Sequence, residues 1–93
     1  MSRYLIEVHH EAEPLACARA IQVFLATGSH FMTQADWGCL DGDHTGRIVV
    51  ELESKEQARS ILPPAYRSQA RIIALYKFTM DQINGIISQH QQS

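Results

Sequence analysis

The turn Asp41-Gly42-Asp43 constrains the fold of this 93-residue chain more than any other segment. It lies between two strand-like segments, predicted at residues 30–40 and 44–52. Gly42 accepts a positive φ at no steric cost, as a tight hairpin connection requires. The turn therefore predicts that the chain contains an antiparallel strand pair.

The first third of the chain predicts a strand followed by a helix. Residues 3–10 alternate apolar Tyr4, Ile6 and Val8 with polar side chains, which is typical of a half-buried strand. Residues 15–27 have a helical pattern that follows Pro14, a residue suited to the first helical turn. Gly28 is placed to end that helix in a left-handed conformation. With few polar positions, the helix is expected to be mostly buried.

The second half of the chain opens two helices with the same signal. Ser54 with Gln57, and Thr79 with Gln82, each have the spacing of a capping box, in which the two side chains satisfy each other's backbone amides. A fourth strand is predicted at residues 70–78. The last helix has one apolar stripe, formed by Met80, Ile83, Ile86 and Ile87.

The order βαββαβ with a terminal helix predicts one α+β domain, residues 1–93, with a ferredoxin-like sheet of order 4-1-3-2 and two helices on one face. The other face is expected to remain open, with apolar residues Leu5, Val49, Ile73 and Leu75 beside charged ones. Such a face commonly binds a second copy, so a homodimer is expected. In the alternative, the last helix covers its own sheet and the chain is a monomer.

Charge and hydropathy exclude some partners. The net charge is −2, and the eight Lys and Arg residues are scattered singly, so nucleic acid is not an expected partner. No apolar run is long enough to span a bilayer, and the N-terminus has no apolar signal region, so no membrane association is predicted. With two cysteines and no export signal, reduced thiols in the cytoplasm are expected.

Residues 28–78 contain the segment Gly-Ser-His-Phe-Met-Thr-Gln-Ala-Asp-Trp-Gly-Cys, the Asp-Gly-Asp-His turn and Ile-Leu-Pro-Pro-Ala-Tyr-Arg. Together they resemble a family of short, uncharacterised bacterial proteins. The layout is more distantly similar to the dimeric α+β barrel superfamily, which includes muconolactone isomerase and YciI-like proteins. The resemblance implies a dimer with two sheets packed face to face, and it implies no particular activity.

Topology predicts a cluster of chemically active side chains at the hairpin end of the sheet. If the turn at Gly42 has two residues, strand parity places Trp37 and Cys39 on one face with His44, and His10 joins them. A pocket walled by Trp37 and Tyr66, with Arg67 at its rim as a group for an anion, is then expected. We interpret it as a small-molecule site in which His10 or His44 transfers a proton on a small organic acid, with no cofactor.

Several alternatives remain open at this stage. In one alternative the histidines only hydrogen-bond to loop backbone, and in another the chain is a non-catalytic protein-interaction module. A metal site would use His10, His44 and Cys39, with Asp41 as a further ligand. Cys17 is interpreted as a small core residue.

Asp36 is the remaining candidate catalytic residue. Its position in a predicted strand beside an aromatic residue is unusual for a carboxylate. We expect it to be partly buried and paired with Arg47 or Arg71, because a buried carboxylate needs a cationic partner.

Overall fold

The computed structural model of the chain describes residues 1–91 and has an α+β fold with one four-stranded antiparallel sheet and three helices. The elements in chain order are β1 (Ser2–His9), α1 (Pro14–Ala26), β2 (Asp36–Trp37), β3 (Thr45–Leu52), α2 (Lys55–Ser60), β4 (Ala70–Leu75) and α3 (Met80–Gln91). Short 3-10 turns flank β2 at Met32–Gln34 and Cys39–Asp41, and a third lies at Pro64–Tyr66.

The strands are arranged in the order β2-β3-β1-β4, with every neighbouring pair antiparallel. Counted from the β2 edge the order is 2-3-1-4. The predicted order 4-1-3-2 is counted from the β4 edge and has the same neighbouring pairs. β1 is central, and it pairs with β3 on one side and β4 on the other. The end of β1 therefore lies beside the start of β3.

Alternation along the strands divides the sheet into two faces. One face packs against α1 and α2 and forms the core, in which Ile6 and Val8 of β1 and Phe24 of α1 are almost completely buried. No helix within residues 1–91 covers the opposite face, and Val49 near its centre is 53% exposed. The open apolar face expected from the sequence is therefore present in the chain.

The second strand is much shorter than predicted. Instead of residues 30–40, β2 contains only Asp36 and Trp37. Ser29 accounts for part of the difference, because its hydroxyl accepts from the Phe31 amide and its carbonyl from the Thr33 amide. These local bonds satisfy backbone groups that a strand would have paired across the sheet.

Helix α1 begins and ends as predicted but is not mostly buried. Pro14 is its first residue, and Gly28 follows it with φ +67°. Only Ala20 and Phe24 are buried, whereas Leu15 and Leu25 are 61% and 55% exposed. The expectation of a buried helix was wrong. Helix α1 packs against one face of the sheet, and only one stripe of its side chains is in contact with that face.

Both predicted capping boxes are present. Ser54 Oγ accepts from the Gln57 amide at 3.1 Å, and Thr79 Oγ1 accepts from the Gln82 amide at 3.2 Å. Gln82 also returns the interaction, since its Oε1 accepts from the Thr79 amide at 2.8 Å. Local sequence alone therefore determines where α2 and α3 start.

Helix α3 projects from the body of the protein. None of its described residues is buried. The molecule measures 55 × 28 × 20 Å with a radius of gyration of 16.9 Å, against about 12–13 Å for a compact domain of this length. Within residues 1–91, no helix is both long and apolar enough to cross a membrane.

Candidate metal centre

The candidate site lies at one end of the sheet, where the chain leaves β1, enters α1 and later returns through the Cys39–Asp41 turn into β3. The His10 amide donates to the His44 carbonyl at 3.0 Å, which fixes the end of β1 beside the start of β3. The Asp43 amide donates to the Gly38 carbonyl at 3.0 Å and closes the loop. Gly42 ends the 3-10 turn with φ +83°, a conformation that favours glycine.

Four side chains converge at this corner: His10, Cys17, Cys39 and His44. One ligand-type atom from each, an imidazole nitrogen or a sulfur, lies within 4.8 Å of the corresponding atom of every other. The residues come from four separated positions in the chain. Two thiols with two imidazoles form one of the common ligand sets of tetrahedral zinc sites.

His10 is held in a defined orientation. Its side chain lies almost fully inside the protein, and its Nδ1 is 3.0 Å from the Glu11 carbonyl oxygen. Because a carbonyl can only accept, Nδ1 carries the proton and donates. In the neutral ring Nε2 then has the free lone pair, and this atom lies 3.2 Å from Cys39 Sγ. A carbonyl partner of this kind is typical of metal-binding histidines.

His44 has a buried nitrogen without a partner. Among the described side chains, His44 Nδ1 is the one buried nitrogen or oxygen atom with no hydrogen bond. Leaving such a group unsatisfied costs about 1–3 kcal/mol. The atom belongs to a side chain of the four-residue cluster, so an additional binding partner at this position would remove the cost.

Cys17 and Cys39 form a disulfide in the structure, with Cα atoms 6.9 Å apart. This pairing differs from the reduced thiols expected from the sequence, and Cys17 is half-buried and not the small core residue that was predicted. Both sulfurs belong to the same cluster as the two imidazoles. The cysteines can therefore be linked to each other, or, when reduced, both offer thiolate ligands at one point.

Trp37 closes one side of the cluster. Its ring centroid is 6.0 Å from that of His10 and 5.0 Å from that of Phe24. The indole also lies against Gly46, where an added Cβ would be 2.8 Å from Trp37 Cζ3. The predicted neighbourhood of His10, Trp37, Cys39 and His44 is therefore present, with Trp37 paired to Gly46 in the register that parity required.

The site opens to solvent on the side of α1. A groove of about 440 Å³ is lined by Cys17, Cys39 and His44, together with apolar side chains of α1 and of the segment before it. His10 does not line this groove. Small solutes that enter the groove therefore meet Cys17, Cys39 and His44.

Asp36 does not belong to the site, and its predicted burial and ion pair are corrected. It is exposed on the edge strand and has no ion pair in the described part of the chain. Arg47, its register partner, donates instead to Glu7 at 3.1 Å and to Asp43 at 2.7 Å. Glu7 on the central strand lies between Arg47 and Arg71 and pairs with both.

Tyr66 and Arg67 are also separate from the cluster. The Tyr66 ring packs on Phe24 with centroids 5.6 Å apart, and Tyr66 does not line the groove beside the two cysteines. The Arg67 guanidinium donates to the backbone carbonyls of Leu62 and Ser60, each at 2.9 Å. Arg67 therefore holds the α2–β4 connection together.

The acidic residues of the loop do not join the ligand set. Asp43 accepts from Arg47 and from Thr45 Oγ1, and its pKa is lowered chiefly by the hydrogen bond from Arg47 and then by that from Thr45. The same contact raises the pKa of Arg47. Asp41, the fourth ligand suggested by the sequence, is replaced by Cys17.

Cys17 is the site residue that sequence reasoning missed. Its position just after Pro14, in the first turn of α1, was a usable signal. A helix that directly follows β1 must start at the end of the sheet where β1 finishes, and the hairpin loop lies at that same end.

In the comparisons with known proteins, no family model matches the sequence, and no curated protein and no solved structure matches the chain.

Proposed function

We propose that the reduced protein binds one Zn²⁺ ion through His10, Cys17, Cys39 and His44. The observation that carries this proposal is that the four ligand atoms lie within 4.8 Å of one another. Around a tetrahedral zinc ion, with Zn–S near 2.3 Å, two sulfurs are separated by about 3.8 Å. The cluster therefore needs only small side-chain rotations to surround an ion.

The ligand types favour zinc among the common metals. Thiolates and imidazoles are soft and borderline ligands, whereas Ca²⁺ and Mg²⁺ prefer oxygen. Four protein ligands fill the coordination sphere, which is the pattern of a structural site. Such an ion would fasten the end of β1 to α1 and to the Cys39–Asp41 turn, and a 93-residue chain with a small core gains from this link.

The surroundings of the two histidines support the same proposal. The Glu11 carbonyl directs the His10 lone pair toward Cys39, and His44 has a buried nitrogen that lacks a partner. Proton transfer by His10 on an organic acid, the hypothesis from the sequence, is less well supported because Nε2 faces a sulfur and His10 does not line the groove.

The experiment is metal analysis of the reduced protein. After incubation with ZnCl₂ and gel filtration without oxygen, we expect about one zinc ion per chain. Cobalt(II) in place of zinc should give the visible absorption of a tetrahedral ion with thiolate ligands. Cys39→Ser should lower the affinity by about a hundredfold or more. His30→Gln, a change at an exposed histidine outside the cluster, should bind like wild type. Reduced wild type that elutes without zinc would refute the proposal.

We also propose that the protein is a cytoplasmic homodimer of the dimeric α+β barrel type, with the open sheet faces in contact. A reducing compartment keeps the thiolates available. The open face supports the dimer because its apolar residues are not covered by α3, none of whose residues is buried. Apolar faces of this kind are usually covered by a partner.

Sedimentation at micromolar concentration tests the dimer with two matched variants. Val49 and Leu25 are 53% and 55% exposed, on the open sheet face and on α1 respectively. Val49→Glu should shift the protein from dimer to monomer, because it places an unpaired charge in the apolar contact. Leu25→Glu should leave the dimer intact. A wild-type protein that sediments as a monomer at all concentrations would contradict this proposal and leave the zinc proposal untouched.

A further inference from the structure

We infer that the metal site is controlled by oxidation: a hydroperoxide converts Cys17 and Cys39 from zinc ligands into a disulfide, and the ion is released. This inference rests on the proposed zinc binding. It concerns the same four residues, but it adds a second state in which two of them bind each other and not the metal.

The structure brings the same two sulfurs together in both roles, as disulfide partners and as members of the ligand cluster. Cys17 and Cys39 are joined in a disulfide, and both also belong to the four-atom ligand cluster. The two states exclude each other, because a disulfide sulfur carries no charge and is a poor ligand for Zn²⁺, whereas a thiolate is a strong one. Two imidazoles alone leave the ion only half coordinated.

Both cysteines are accessible to small solutes. The two cysteines line the solvent-open groove of about 440 Å³, while His10 does not. A molecule as small as hydrogen peroxide therefore reaches the sulfurs directly. Cysteine oxidation depends on such exposure and on thiolate character, which zinc coordination supplies.

Hydrogen peroxide oxidises the two thiolates to a disulfide in two reactions. One thiolate attacks a peroxide oxygen, the O–O bond breaks, and with one proton the products are a sulfenic acid and water. The second thiolate attacks the sulfenic sulfur, forms the S–S bond and expels hydroxide, which takes up a proton. In sum, two thiolates, one hydrogen peroxide and two protons give one disulfide and two waters. Sulfur loses two electrons to the peroxide, and Zn²⁺ leaves unchanged in oxidation state.

The backbone can keep the same arrangement in the zinc-bound and in the disulfide-bonded protein. The His10–His44 backbone hydrogen bond and the closure of the loop at Gly38 do not involve the sulfurs. The disulfide replaces the ion as the link between α1 and the Cys39–Asp41 turn. Oxidation is therefore expected to remove the metal without unfolding the domain, and a thiol reductant should restore binding.

The experiment starts from reduced, zinc-loaded protein and adds one equivalent of hydrogen peroxide. Zinc release is followed with a chromophoric chelator too weak to remove the ion unaided, and the cysteines are followed by thiol titration and peptide mapping. We expect about one zinc ion released per Cys17–Cys39 disulfide formed, with recovery of the bound zinc after reduction. His30→Gln should behave like wild type.

A second variant keeps the test independent of folding. Cys17→His retains a zinc ligand but cannot form the disulfide, so the same equivalent of hydrogen peroxide should release much less zinc from it than from wild type. Zinc retained by wild type after the peroxide is consumed, or released with only sulfinic acid or intermolecular disulfides, would overturn the switch while zinc binding stands. A reduced protein that binds no zinc yet forms the Cys17–Cys39 bond would instead overturn the proposed function, and the switch with it.

Discussion

The C-terminal arm, residues 76–91, differs from the corner that holds the His10, Cys17, Cys39 and His44 cluster in how deeply its side chains are buried. At the corner, segments distant in sequence meet, and His10 and Phe24 are buried there. The arm carries comparably apolar residues, yet Phe78 and Met80 are 62% and 74% exposed. Hydrophobic composition alone does not distinguish the two regions.

The signals that start a helix are different from the contacts that bury it. α3 has the more complete of the two capping boxes, with hydrogen bonds in both directions between Thr79 and Gln82. Its start is therefore well determined, but short helices gain most of their stability from packing. The corner has that packing, which gives it a fixed geometry and a site.

The largest expected difference is in the response to truncation of a side chain. Phe24 is fully buried and contacts both Trp37 and Tyr66, so Phe24→Ala should lower the free energy of unfolding by about 3–5 kcal/mol. Met80→Ala, in the arm, should change it by less than about 0.5 kcal/mol. Urea unfolding of the oxidised, metal-free protein, followed by the fluorescence of the single tryptophan, gives both values.

Phe24→Leu provides a milder variant if Phe24→Ala does not fold, with an expected loss of about 1–1.5 kcal/mol. Equal effects of the Phe24 and Met80 substitutions would mean that the arm is packed as tightly as the corner, and the contrast between them would be wrong.

Two glycines allow a finer comparison. A methyl group on Gly46 would meet the Trp37 ring at 2.8 Å, and the ring cannot move freely because Phe24 and His10 lie against it. Gly46→Ala should therefore cost about 1–3 kcal/mol. A methyl group on Gly85 in α3 would meet nothing within 4 Å. Gly85→Ala should instead favour the local helix by up to about 1 kcal/mol.

The two changes are measured differently. Gly46→Ala should lower the urea midpoint and, by displacing Trp37 and His10, weaken zinc binding. Gly85→Ala should raise the helical circular dichroism signal without a shift in the midpoint. An unchanged midpoint in Gly46→Ala would show that Trp37 is not held against β3 as described.

Sequence reasoning predicted the parts of the fold and site that depend on local signals and on parity. The alternation in β1 and the turn signal at Gly42 were sufficient to predict that His10, Trp37 and His44 lie close together. The connection to β3 nonetheless contains a 3-10 turn in place of the expected two-residue turn. The placement of Trp37 was correct because its pairing with Gly46 keeps the same parity.

The errors came from residues whose environment depends on competition between partners. Asp36 was expected to pair with Arg47 or Arg71. Glu7 on the central strand lies opposite both arginines and forms ion pairs with them instead. Cys17 was assigned to the core because a helix rich in apolar residues suggests burial. The helix turns only one stripe of side chains inward, and the apolar composition of α1 outweighed the signal that Cys17 lies in its first turn, at the hairpin end of the sheet.

The smallest expected effect is a pH dependence confined to the corner. The pKa of Asp43 lies below its ordinary value of 3.8, first because Arg47 donates to the carboxylate and second because Thr45 does. A carboxyl group whose folded-state pKa is lowered stabilises the fold at pH values above its unfolded pKa, and this contribution is lost as the pH falls through the folded pKa. The ion pair with Arg47 therefore stabilises the loop at neutral pH and fails in acid.

Asp43→Asn isolates this contribution. The difference in urea midpoint between wild type and Asp43→Asn should be small, constant from about pH 7 to pH 5, and should shrink below about pH 4 as the wild-type carboxyl is protonated. Asp41→Asn, on the same loop and outside the ion pairs of the described residues, is the control and should follow the wild-type curve. The helical signal of α3 should not change in either variant, because α3 has no buried residue through which a change in the loop would act. A midpoint difference that persists unchanged to about pH 2 would show that Asp43 acts through its neutral hydrogen bonds and not through its charge.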